Sequence, residues 1–144
     1  MGSSARIPTR FLVLSDTHGE DVDVPSCEFD VALHCGDLTE ESKLDEFRSA
    51  IRTLKKIKAP LKLVIAGNHD FTLDTPMFER KVAEMHRLQD VDDALVERTY
   101  GAFGEAKEMF ESEDAKASGI VFLDEGTHHL KLANGALLLS LIHI

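Results

Sequence analysis

At 144 residues, with 43% apolar and 29% charged side chains, the chain has the size and composition of one soluble globular domain, not of a disordered or fibrous polypeptide. A formal net charge of -10 excludes unassisted grip on a nucleic-acid backbone, because no basic field would attract the phosphates. Bound cations can invert that local sign, so an acidic chain can still handle a small phosphate.

The opening stretch MGSSARIPTR lacks the apolar run of a secretory signal, and Arg6 stands where an acylation motif at Gly2 would want a hydroxyl. Residues 1–9 are expected to be a flexible start. Residues 11–14 form a short apolar run that breaks into Ser15-Asp16-Thr17-His18-Gly19, which reads as a buried strand followed by a loop. The acidic segment 20–28, with Pro25, suits a surface loop. Residues 29–35 read as a second strand, ending in Gly36-Asp37. Inside it, His34 and Cys35 are expected to pack in or near the core.

Thr39 is placed to cap a helix carrying Glu40 and Glu41 in its first turn, both read as solvated charge. Leu44, Phe47, Ile51 and Leu54 then follow the three-and-four spacing of an amphipathic helix lying on a sheet. Ala59-Pro60 stops it, and residues 61–66 form the third strand, which ends in Gly67-Asn68-His69-Asp70. Thr75-Pro76 opens a helix running to about residue 89. A further helical stretch covers about residues 93–117, weakened in its middle by Gly101 and Gly104. Strands are expected at 120–123, 129–132 and 136–142, the last two joined by the hairpin signal Asn134-Gly135.

Strand, loop and helix alternate in the first half, which argues for an α/β fold with a parallel sheet and right-handed crossovers. Ligands of such sheets gather beyond the carboxyl ends of the strands. All three polar clusters stand at those ends. Asp16 and His18 are two residues apart, so an extended backbone would aim both side chains the same way. Asp, His and Asn without a thiolate suit Mn, Fe, Zn or Mg better than a structural zinc site. Clustered acids would repel one another unless cations lay between them. Gly36 and Gly67 allow the backbone to turn sharply and come close.

The order Asp-x-His, Gly-Asp, Gly-Asn-His-Asp, carried by "FLVLSDTHG", "VALHCGDLTE" and "LVIAGNHDFTLD", resembles the calcineurin-like metallophosphoesterases, and within them the eukaryotic metallophosphoesterase-domain-containing branch. The resemblance is strong over residues 10–74 and loose beyond. It implies an αββα sandwich of two sheets flanked by helices, present here as its N-terminal part with a mainly parallel sheet and the start of the second sheet. It also implies two divalent cations. Asp16 and His18 would hold the first, Asp37 would bridge both, and Asn68 would bind the second. His69 would face the substrate as the catalytic imidazole, with Asp70 orienting and charge-supporting it. The implied activity is hydrolysis of a small phosphoester, a phosphodiester above all, by a hydroxide activated between the two metals. The rival reading is a non-catalytic remnant or binding scaffold with the same fold. No nucleic-acid polymer and no membrane are expected as partners, and two cysteines outside any metal-ligand spacing fit a reduced, cytoplasmic setting.

The family pattern continues with a later histidine and a Gly-His-x-His motif, and no such motif occurs in this sequence. His86 reads as part of a solvated helix face, and His128 and His129 sit at the start of their strand, the wrong end for a ligand. His143, which follows an apolar strand, is a lesser candidate. The final Leu-Ser-Leu-Ile-His-Ile matches a translated sequencing-library adapter, so the domain is expected to span residues 10–138 and residues 139–144 to be an aberrant tail on a truncated frame.

Overall fold

A computed structural model describes residues 5–142. Four short strands, β1 (Phe11–Leu14), β2 (Val31–His34), β3 (Leu61–Val64) and β4 (Ile120–Phe122), form one parallel sheet in chain order. Parallel neighbours need a crossover, since no tight turn can reverse the chain and bring it back in the same direction. A loop supplies it between β1 and β2, and α1 (Leu44–Lys56) supplies it between β2 and β3. Between β3 and β4 run α2 (Thr75–Leu88), α3 (Asp93–Tyr100), α4 (Glu105–Glu111) and α5 (Glu113–Ala117). The antiparallel hairpin of β5 (Gly126–Lys131) and β6 (Leu137–Ile142) makes a second, two-stranded sheet.

The apolar pattern sorts these elements into layers. On one face of the parallel sheet, Phe47, Ala50, Ile51 and Leu54 of α1 and Phe110 of α4 bury against Ala32, Val64 and Ile120. Burying Phe47, Ile51 and Leu54 contributes roughly 6 kcal/mol as an upper figure, at about 2 kcal/mol per large apolar side chain. On the other face, Val31 and Leu63 meet Leu132, with Leu130, Leu138 and Ile142 of the hairpin packed alongside. A helical layer, a parallel sheet and the start of a second sheet are thus the α/β arrangement expected, the N-terminal part of a sandwich. Leu137, Leu139 and Leu141 point outward from β6, which among the described strands pairs only with β5. Residues 139–142, expected as an aberrant tail, lie within that strand, and His143 falls outside the described residues. Ahead of β1, the hydroxyl of Thr9 accepts from Asn134 Nδ2 in the hairpin turn at 3.1 Å. No helix among the described residues is long and apolar enough to cross a membrane.

Two local expectations are corrected. Thr39 does not cap α1; the cap is Lys43, and a box closed by Glu46 starts the helix there. The Glu46 carboxylate accepts from the N–H groups of Glu40, Glu41 and Lys43, so the segment 40–43 is wrapped around it instead of being helical. The stretch 93–117 is three helices: Gly101 and Gly104, with φ of 82° and 87°, separate α3 from α4, and Ser112, extended and capping α5 through its side chain, separates α4 from α5.

Candidate metal centre

In-register pairing of Leu14 with His34 and of His34 with Val64 makes the first three strands end level, so their loops leave from one edge. The β1–β2 hydrogen bonding then continues past the strands. Asp16 N–H donates to Gly36 O at 3.0 Å, His18 N–H to Asp37 O at 3.1 Å and Gly19 N–H to Leu38 O at 2.7 Å. The β3 loop is drawn in by glycine. A Cβ on Gly67 would lie 2.1 Å from Asp37 Oδ1, and one on Gly36 would lie 2.9 Å from Gly67 Cα. No other residue permits that approach.

Asp70 fastens this arrangement from beneath. It is fully buried, and its carboxylate accepts from Leu38 N–H, Thr39 N–H, Thr39 Oγ1 and Gly67 N–H at 2.8–3.0 Å. Burial pushes its pKa up, and those four donors pull it back. The buried Thr39 is therefore a partner of Asp70, which explains why it is unavailable as a helix cap. Both oxygens of Asp70 being engaged in this way, the hydrogen bond to the His69 ring comes from elsewhere: Nδ1 of His69 lies 2.7 Å from the carbonyl of Glu40. Asp70 reaches that ring through its charge alone, as one of the smaller influences on it.

Asp16, His18 and Asp37 offer one ligand atom each, all within 4.8 Å of one another. His18 Nε2 stands 3.8 Å from Asp16 Oδ1. The backbone is not extended here, as the spacing suggested; Asp16, His18 and Asp37 have φ of 56°, 48° and 51°. Left-handed backbone at a non-glycine residue costs about 1–2 kcal/mol, and three of the four such residues among those described, Ser42 being the fourth, are the members of this cluster. Asn68 is exposed on the third loop, between Gly67, which abuts Asp37, and His69, whose N–H donates to Asp37 Oδ1 at 3.1 Å. Among the described residues no short contact fixes its amide.

A second group shares His18. Ligand atoms of His18, Glu40 and His69 also lie within 4.8 Å, with the two imidazoles edge to face at a centroid distance of 5.0 Å. Glu40, read from the sequence as solvated charge, places Oε2 2.9 Å from His18 Nδ1. Its position three residues after Asp37, on the same loop, was the available signal. The Glu40 carbonyl raises the pKa of His69 by accepting from its ring, with Asp37, Glu40 and Asp70 adding their charge.

Behind the edge, His34 is buried as expected, and its Nε2 meets Thr17 Oγ1 at 2.9 Å. Desolvation lowers its pKa to about 4 against the pull of Asp16 and Asp37. Cys35 is not in the core: it lies beyond the end of β2 and is exposed. His86 pairs with Asp93 at 2.9 Å, and His128 Nε2 lies 2.8 Å from Asp124 O, so neither joins the site.

The donor set fits the implied cations. Carboxylate oxygen and imidazole nitrogen, without thiolate, suit hard and borderline divalent ions. Acids held together on left-handed backbone gain from a positive charge placed between them.

A family model of calcineurin-like phosphoesterases matches residues 9–136. Metallophosphoesterase domain-containing protein 1 of Homo sapiens is 38% identical over 66 residues, which cover 46% of this chain and 20% of that protein. A UPF0046 protein of Caenorhabditis elegans is 32% identical over 88 residues, 60% of this chain and 22% of the relative. A protein named probable rhamnogalacturonate lyase C, from Emericella nidulans, is 38% identical over 65 residues, 45% of this chain and 6% of that one. The matched segment thus spans about a fifth or less of each relative. With the family model covering most of its length and the three polar loops meeting at one sheet edge, this chain belongs to the calcineurin-like phosphoesterase family.

Proposed function

We propose that this chain carries the catalytic edge of a metal-dependent phosphoesterase that hydrolyses a small phosphoester, a phosphodiester above all. The observation that carries the reading is the convergence of Asp16, His18 and Asp37 ligand atoms within 4.8 Å on strained backbone. Asp16, His18, Asp37 and Asn68 would hold two divalent cations, of Mn, Fe, Zn or Mg. When bound, such ions neutralise phosphoryl oxygens and lower the pKa of water.

The chain's own residues do the remainder. His69 is located by its N–H on Asp37 and its Nδ1 on the Glu40 carbonyl, which leaves Nε2 for the substrate. Its pKa is raised by that carbonyl, which favours the protonated ring that can hand a proton to the leaving alkoxide oxygen. Asp70 keeps the two loops at a fixed separation while that proton moves. A cytoplasmic setting belongs to the same reading, supported by the free thiols of Cys27 and Cys35.

The test is to dialyse the chain against Mn²⁺, count bound metal and measure turnover of an aryl phosphodiester. Two metals per chain, with turnover abolished in Asp37→Asn, is the expected result. Less than one metal and no turnover would favour the rival reading, a scaffold that keeps the fold without the chemistry.

A further inference from the structure

Both imidazoles of the site touch the same residue. His18 Nδ1 faces Glu40 Oε2 at 2.9 Å, with the Thr39 carbonyl at 3.3 Å, and His69 Nδ1 faces the Glu40 carbonyl at 2.7 Å. All three partners are oxygens that only accept, so each Nδ1 must carry the hydrogen. In a neutral ring the lone pair is then on Nε2. For His18 that nitrogen is the one turned toward Asp16, 3.8 Å away.

We propose that Glu40 is a positioning residue that sets the tautomer of both rings, through its carboxylate at His18 and its backbone carbonyl at His69, so that each presents Nε2 outward. A carboxylate behind a ligating imidazole fixes the ring and raises its basicity. A second tie supports Glu40 in that role. Its N–H donates to Glu46 Oε1 at 2.9 Å, so the box that starts α1 also holds the loop beneath the two histidines. Gly19 completes the contact, since a Cβ there would lie 3.1 Å from Cβ and Cγ of Glu46. The start of α1 and the orientation of two site rings are therefore one structural unit.

The consequence for cation affinity rests on the metal reading above, whereas the tautomer does not. The experiment takes the two apart. Long-range proton–nitrogen spectra of the metal-free chain, recorded on the alkaline side of the observed ring titrations, should show the Nδ1–H form for His18 and His69. In Glu40→Ala the carbonyl at His69 persists, so His69 should keep its tautomer, while His18 loses its short partner, keeps only the Thr39 carbonyl at 3.3 Å and should shift in part toward the Nε2–H form. Glu40→Gln restores an accepting oxygen and should restore the wild-type spectrum. In calorimetric titration with Mn²⁺, Glu40→Ala should bind about tenfold more weakly and Glu40→Gln within about threefold of wild type. His18 keeping Nδ1–H in Glu40→Ala, or Glu40→Gln resembling Glu40→Ala, overturns the proposal. If the wild-type chain takes up no Mn²⁺, the cation reading falls and the spectra still decide the role of Glu40.

Discussion

The hydroxyl of Thr17 lies 2.9 Å from Nε2 of His34, and Nδ1 of the same buried ring meets no partner among the described residues. A proton added to His34 would therefore sit in a dry place, which is why its pKa falls to about 4. The unfolded chain takes up that proton at its ordinary value of 6.5, so it holds more protons than the folded chain between the two. Stability is then fully present above 6.5 and drains away as pH falls toward 4, by about 3 kcal/mol in all. Urea titrations of the metal-free chain across that range should show the slope. His34→Phe, which has nothing to ionise, should flatten it.

His69 should titrate above 6.5 in the metal-free chain, because the Glu40 carbonyl favours its protonated ring. The sign is opposite to that of His34: the favourable contribution is complete below 6.5 and is lost as pH rises through the folded value. Proton chemical shifts of the ring followed against pH check this. A midpoint below 6.5 would contradict the hydrogen bond that holds it.

Gly67→Ala should lower stability by about 3 kcal/mol and weaken Mn²⁺ binding, since its Cβ would fall 2.1 Å from Asp37 Oδ1 and 2.3 Å from Asp37 N. Gly104→Ala is the comparison. It has open space but a φ of 87°, so it should cost about 1 kcal/mol and leave binding unchanged. Thermal melts with and without Mn²⁺ separate the two.

Asp70→Asn replaces one accepting oxygen by a donor amide that faces N–H or O–H groups already donating. A loss of about 3 kcal/mol, and roughly 10 °C in Tm, is expected. Metal binding should weaken only in proportion to unfolding. A large affinity loss in a stably folded Asp70→Asn chain would mean that the residue acts on the site more directly.

Asp37→Gly and Asp37→Ala remove the same carboxylate and the same bond from His69 N–H. They differ in backbone, because only glycine is relaxed at a φ of 51°. Asp37→Gly should be the more stable by about 1 kcal/mol in denaturant, and neither should bind two cations.

The strands, the hairpin and the buried face of α1 were legible because apolar spacing alone specifies them: Phe47, Ile51 and Leu54 could face nothing but a core. The meeting of Asp16, His18 and Asp37 was legible for a topological reason, since parallel strands deliver their loops to one edge. What escaped was which group touches which. Glu40, Glu46 and Thr39 are ordinary loop and helix-start residues by type, and only folding decides that Asp70 takes Thr39 and Glu46 takes the N–H of Glu40. The same gap hid that the hydrogen bond to the His69 ring comes from the Glu40 carbonyl, while Asp70 ties the two loops beneath it.

The hydrogen bonds from Asp16, His18 and Gly19 to residues 36–38 have a dynamic consequence. They lengthen the β1–β2 ladder beyond its named ends, so the amides of Asp16, His18 and Gly19 belong to the sheet's cooperative unit and not to a freely fluttering connection. Deuterium should reach those amides on the schedule of β1 and β2 themselves, so the cluster of Asp16, His18 and Asp37 stays assembled in the metal-free chain.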